Sequence, residues 1–127
     1  MEQMKRNILI VEDEPTLVSA YRTLLEGAGY QVESAYNGQD ALEKSEDFEP
    51  DLILLDLRMP VMDGVGFLTE YNLPEKHPNV KVIVFSNYDM QKEIDEAYRL
   101  GADRYVLKAW ASPREILQLV ENTLTQE

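Results

Sequence analysis

Short unbroken apolar runs alternate along this chain with longer stretches in which apolar residues recur every three or four positions. Ile8-Leu9-Ile10-Val11 is the first run, with the pattern of a strand buried on both faces. Pro15 then opens a helical stretch that puts Leu17, Val18, Tyr21, Leu24, Leu25 and Ala28 on one face. Gly27 and Gly29 bracket its end, where a left-handed residue is usual. Tyr30 to Ala35 alternates instead, Tyr30 and Val32 against Gln31 and Glu33, which predicts a half-buried edge strand. Asn37-Gly38 marks the start of a second helix with Ala41, Leu42, Ser45 and Phe48 in its stripe, ended by Pro50. Leu52-Ile53-Leu54-Leu55 is another fully apolar strand. The loop from Asp56 to Gly64 leads into a short helix carrying Val65, Leu68 and Tyr71, which stops before Pro74.

Val80 to Phe85 predicts the fourth strand. Asp89 is placed to cap a fourth helix, with Met90, Ile94, Ala97 and Tyr98 inward and Gly101 at its end. Arg104 to Leu107 is a short fifth strand. Ser112-Pro113-Arg114-Glu115 has the form of a capping box with proline at the first helical position. The helix it starts buries Ile116, Leu117, Val120 and Leu124. Strand and helix thus alternate five times. Crossovers of this length require parallel strands with both sheet faces covered. The expectation is one doubly wound α/β domain over residues 1–127, with no internal repeat, linker or second domain.

Composition narrows the function. Among 127 residues, 24 are Asp or Glu and 12 are Lys or Arg, a net charge of −12. Nonspecific binding to nucleic acid needs a basic surface, so this balance argues against it. It disfavours an anionic membrane surface too. There is no cysteine, which removes disulfides, thiolate metal sites and cysteine nucleophiles. No apolar run approaches the roughly 20 residues that span a bilayer. No signal-peptide core precedes the first strand, so a cytoplasmic location is expected.

In an open parallel sheet, ligands bind at the carboxyl ends of the strands. Glu12 and Asp13 follow the first strand, Asp56 the third, Ser86 the fourth and Lys108 the fifth. Taken singly, each has a plainer reading: a helix N-terminal charge pair, a loop cap, a turn former, a solvated lysine. Their shared place at one sheet edge favours a site. Converging carboxylates suit a hard divalent cation such as Mg2+, and lysine and a hydroxyl add phosphate binders. Together they suit phosphoryl transfer, in which an aspartate can itself be the acceptor. His77, between Lys76 and Pro78, reads as a solvated loop residue, and Trp110 as packing or surface.

These residues resemble the receiver domain of bacterial two-component response regulators. The stretches that carry the likeness are Ile8 to Pro15, Asp51 to Asp56 and Met59-Pro60-Val61-Met62-Asp63-Gly64, with Ser86 and Lys108 at the strand ends. The likeness covers essentially the whole chain. It implies a flavodoxin-like sheet of strand order 2-1-3-4-5. It also implies that Asp56 accepts a phosphoryl group from a histidine kinase or phosphotransfer protein. Asp13, Asp56 and the Arg58 backbone carbonyl would ligate Mg2+, with Glu12 helping through water. Lys108 would pair with the carboxylate and then the phosphoryl group. Ser86 would shift toward that group, and Tyr105 would be the aromatic switch that follows it.

The fourth helix, fifth strand and final helix would form the output face. Through it the domain would signal to a downstream effector protein or a removed output domain, or dimerise. Such a domain is a switch rather than an enzyme, beyond phosphorylating and dephosphorylating itself.

Three features depart from the family pattern. Ala109 stands where a proline with a cis bond is usual, so either a strained bond is tolerated or Lys108 is placed by a different loop path. Asn87 replaces a small residue, and Arg58 and Tyr88 flank the site. Arg58, Asn87 and Tyr88 are expected to tune the reaction rates, with shielding that makes self-hydrolysis slow. A haloacid-dehalogenase-type phosphatase would need a second aspartate where Arg58 stands. A flavodoxin would place a phosphate against Glu12-Asp13-Glu14-Pro15, which repels it. A pseudo-receiver that binds partners without phosphorylation is the alternative.

Overall fold

A computed structural model describes residues 5–87 and 89–125. Five strands, β1 (Asn7–Val11), β2 (Gln31–Ala35), β3 (Leu52–Asp56), β4 (Lys81–Ser86) and β5 (Arg104–Leu107), form one parallel sheet. Its order is β2-β1-β3-β4-β5, as the resemblance implies. The helices are α1 (Pro15–Gly27), α2 (Gly38–Phe48), α3 (Gly64–Tyr71), α4 (Leu73–Lys76), α5 (Gln91–Arg99) and α6 (Pro113–Thr125).

The strand pleat sorts the core into two layers. Leu9, Val11, Ile53, Leu55, Val82 and Val84 pack with Ala41 of α2, Phe67 and Leu68 of α3, and Ile94 and Ala97 of α5. Ile8, Ile10, Leu52, Leu54, Ile83 and Phe85 pack with Val18, Tyr21 and Leu25 of α1 and Ile116 and Val120 of α6. Each fully buried aliphatic side chain contributes about 1.5–3 kcal/mol. That burial makes the three central strands a rigid base for whatever stands at their ends.

Local signals explain most element boundaries. The Asn37 side chain accepts from Asp40 N at 2.8 Å and starts α2. Glu49, at φ 52°, turns the chain out of it. Asp63 accepts from Gly66 N at 2.8 Å and starts α3. At α6, Ser112 and Glu115 bond reciprocally, with Glu115 N to Ser112 Oγ at 3.3 Å and Ser112 Oγ to Glu115 Oε1 at 3.0 Å.

Several expectations need correction. Asp89 does not cap α5. Met90 is buried in the core and accepts from Asn87 N through Sδ at 3.4 Å, so the helix begins at Gln91 without a side-chain cap. Tyr98 points outward, because Ile94 and Ala97 already occupy the inward face of α5. It is 42% exposed and meets Tyr105 edge-on at 6.3 Å. Ala28, past the end of α1, is exposed. Pro74 sits in the first turn of α4 rather than simply following α3. His77 is half-buried and stacks on Tyr71, with ring centroids 3.9 Å apart, instead of lying free in solvent.

Candidate functional site

β3 and β4 run one residue beyond their apolar cores, so Asp56 and Ser86 are the last residues of strands rather than loop residues. Each is held by the ladder on a rigid element. Asp56 is 4% exposed, Ser86 1% and Glu12, just past β1, 0%. Asp13 beside it is exposed. Lys108 opens a single 3-10 turn, Lys108–Trp110, directly after β5.

The side chains of three strand ends converge, and the end of β4 beside them carries Ser86. Lys108 Nζ donates to Asp56 Oδ2 at 2.9 Å and to Glu12 Oε2 at 3.2 Å, and it lies 3.2 Å from Glu12 Oε1. Arg58 N donates to Asp56 Oδ1 at 3.3 Å, and Glu14 N to Glu12 Oε2 at 3.2 Å. Among the described residues the buried Ser86 Oγ has no hydrogen-bond partner, and Glu12 Oε1 meets only the Lys108 ammonium of its ion pair. A buried polar atom without a partner costs about 1–3 kcal/mol. Such atoms at a strand-end site point to a ligand that would satisfy them.

The electrostatics agree. Burial, and then the Asp56 charge, push the Glu12 carboxyl up to about 7. Burial works against the Lys108 ammonium, but its hydrogen bond to Asp56 and the charges of Asp56 and Glu12 outweigh that and hold its pKa above the usual lysine value. Glu12, Asp13 and Asp56 each offer a carboxylate oxygen, all within 4.8 Å of one another. With all three carboxylates ionised, they and the one ammonium carry a formal charge of −2, which a divalent cation balances. All-oxygen donors with an open, solvated side at Asp13 fit Mg2+, which keeps several waters.

The other candidates sit as follows. Arg58 follows the site in the loop, but its guanidinium reaches Glu93 of α5 at 3.8 Å, with both side chains well exposed. Asn87 is exposed. Tyr88 lies outside the described residues. Tyr105 is 46% exposed on the edge strand β5. Among the described residues no peptide bond is cis, so a different loop path, the 3-10 turn, places Lys108.

Sequence reasoning missed three features near the site. Val61 adopts φ 69°, rare for a β-branched residue. It is the centre of a tight turn closed by Met62 N to Pro60 O at 2.7 Å, which presents the Met62 carbonyl to Gly38 N at 2.8 Å. The Arg58–Glu93 pairing spans a loop and a distant helix and left no local signal. Tyr21 was legible only as a member of a helix stripe. Its hydroxyl donates to the Ala111 carbonyl at 2.9 Å, and its ring stacks on Phe85 at 5.5 Å.

Comparison with known proteins gives a consistent result. The family model described as "Response regulator receiver domain" matches residues 8–121. The alkaline phosphatase synthesis transcriptional regulatory protein PhoP of Bacillus subtilis is 34% identical over 113 residues, 89% of this chain and 46% of that protein. The chemotaxis protein CheY of Thermotoga maritima is 32% identical over 114 residues, 89% of this chain and 93% of that protein. The chain therefore spans about half of one relative and nearly all of another. The receiver domain of the sensor histidine kinase PA1611 from Pseudomonas aeruginosa, solved with a magnesium ion coordinated in its active-site cleft, superposes with a TM-score of 0.82. It is 25% identical, and the match covers 97% of this chain and 100% of that one.

Proposed function

Because the chain belongs to the response regulator receiver domain family, we propose that it is a phosphorylation-driven switch whose acceptor is Asp56. Receiver domains are signalling modules of two-component systems and work with histidine kinases and output domains. The observation that carries the reading is Asp56 itself. It is a nearly buried carboxylate on a rigid strand end, bonded to the Lys108 ammonium, on the strand next to the one that ends in Ser86, whose hydroxyl has no partner among the described residues.

In the proposed reaction an Asp56 carboxylate oxygen attacks phosphorus. The P–N bond to the donor histidine breaks and a P–O bond forms. The chain's part is positioning and charge neutralisation. Lys108 pairs with Asp56 before transfer and with a phosphoryl oxygen after it. Ser86 Oγ, without a partner among the described residues, donates to another phosphoryl oxygen. Glu12, Asp13, Asp56 and the Arg58 carbonyl are the groups we assign to Mg2+, which when bound supplies neutralisation of the transferred charge. Movement of Ser86 toward the phosphoryl group vacates space for Tyr105, now 46% exposed, to turn inward. That would alter the α5–β5–α6 face, where Tyr98 and Tyr105 meet. We assign this face to an effector, an output domain or a second copy. No helix among the described residues is long and apolar enough to cross a membrane, in keeping with a cytoplasmic switch.

The test is incubation with Mg2+ and a small acyl phosphate or phosphoramidate, followed by intact mass. A phosphoryl adduct that disappears in Asp56→Asn supports the reading. No adduct from these donors or from a phosphohistidine donor protein refutes it and leaves the pseudo-receiver.

A further inference from the structure

The turn that carries Lys108 is short and outward-facing. Ala109 and Trp110 are exposed, Trp110 to 71%. Within the turn, the backbone closure is a single long bond, Ala111 N to Lys108 O at 3.3 Å. No proline stiffens it. Yet the Lys108 ammonium stands at 2.9 Å from Asp56 and 3.2 Å from Glu12. The β5 ladder fixes the turn on one side, where Leu107 pairs with Ser86, and an amine on a flexible four-carbon stem is held more closely if the other side is fixed as well.

Ala111 is the first residue after the turn to enter the core, at 7% exposure. Its carbonyl accepts from Tyr21 Oη at 2.9 Å, a buried bond that spans 90 residues of sequence. Tyr21 is only 1% exposed. Its ring is clamped flat against Phe85, the residue before Ser86, with an interplanar angle of 9°. The ring is thereby held where its hydroxyl meets the Ala111 carbonyl. Burial pushes its pKa up to about 12, with the nearby Glu12 charge adding to the effect. It remains a neutral donor at any physiological pH.

We propose that Tyr21 is a positioning residue for Lys108: its hydroxyl pins the Ala111 carbonyl and so holds the turn that keeps the ammonium on Asp56 and Glu12. The proposal rests on the reading of Asp56 as phosphoacceptor. Tyr21 touches none of the carboxylates and acts only through the loop. It takes the place that a rigid residue after Lys108 would otherwise fill.

Tyr21→Phe removes the hydroxyl and keeps the ring on Phe85. Loosening the ammonium has opposite effects on two probes. Lys108 competes with Mg2+ for the same carboxylates, so Mg2+ alone binds more tightly in the variant. Lys108 also binds the transferred group, so trifluoroberyllate with Mg2+, a phosphoryl mimic, binds less tightly. Each shift should be about two- to tenfold, the range for one hydrogen bond. Trp110, the one tryptophan of the chain and two residues from Lys108, reports both titrations by fluorescence. General damage to the site weakens both probes together. Leu25→Ala, buried on the same helix one turn beyond Tyr21 and on the side away from the strand ends, controls for lost stability and should leave both affinities unchanged.

Unchanged affinities in Tyr21→Phe, weakening of both probes, or the same split in Leu25→Ala would each overturn the proposal. Wild-type protein that binds Mg2+ but no trifluoroberyllate would instead overturn the phosphoacceptor reading, and the Mg2+ titration would still judge the placement of Lys108.

Discussion

Gly64 offers a direct probe of how tightly the acceptor strand end is built. It is the first residue of α3 and donates through N to Leu57 O at 3.1 Å. A methyl group at this position would lie 2.8 Å from the Asp56 carbonyl oxygen, 2.8 Å from Leu57 Cα and 2.9 Å from Leu57 Cδ2. The first two are backbone atoms of the segment that carries the acceptor, so they cannot yield by a rotamer change. Gly64→Ala must push α3 off the strand end or shift Asp56. Overpacking of this kind costs about 1–3 kcal/mol, or roughly 3–15 °C in melting temperature for a domain of this length. Gly27→Ala is the control. It ends α1, a Cβ there meets nothing within 4 Å, and alanine is the better helix former. It should gain about 0.4–1 kcal/mol. Thermal unfolding followed by circular dichroism measures both, and the phosphorylation rate of Gly64→Ala shows whether Asp56 has moved. A Gly64→Ala protein that melts with wild type and takes phosphate at the wild-type rate would refute the close-packed reading of this strand end.

Other expectations follow from the same geometry. At tenfold excess over its dissociation constant, Mg2+ should stabilise the native state by about 1.4 kcal/mol, roughly 4–8 °C in melting temperature; an equal response in Asp13→Ala at matched ionic strength would rule out a site centred on Asp13. Burial, and then the Lys76 charge, lower the His77 pKa below 6.5. Stability from the neutral ring is present above pH 6.5 and is lost as pH falls through the folded midpoint; an NMR titration of His77 should give that midpoint, and a value above 6.5 would contradict the buried stack on Tyr71. Arg58→Ala should shorten the life of the aspartyl phosphate if the guanidinium leaves Glu93 to cover the phosphoryl group, and decay at the wild-type rate would mean that the 3.8 Å pair with Glu93 keeps it away.

Much of the fold was readable because its signals are local or periodic. The apolar runs at Ile8–Val11 and Leu52–Leu55 are buried on both faces and lie side by side at the centre of the sheet. The Ser112–Glu115 box and the Asn37 cap form as their residue types require. The candidate site was readable for a topological reason, since residues at the carboxyl ends of parallel strands must gather at one edge. What escaped depends on packing between distant segments. Asp89 lost the cap position because Met90 dropped into the core. Tyr98 and Tyr105 meet because two exposed rings share an edge, which no helical stripe predicts. His77 found Tyr71 through α4, a single turn too short to show periodicity. The tie from Tyr21 to Ala111 joins residues 90 apart, and only the folded chain displays it.

In the proposed switch Asp56 carries the phosphoryl group. Its most direct measurement is chemical mapping of the modified residue. Protein phosphorylated in Mg2+ is reduced with borohydride, which converts an acyl phosphate to the corresponding alcohol, and the digested peptides are sequenced by mass spectrometry. The geometry predicts homoserine at position 56, absent when Mg2+ is withheld and absent in Asp56→Asn. Reduction product at Asp13 or Glu12 with Asp56 intact, or unaltered labelling of the Asp56→Asn protein, would contradict the account.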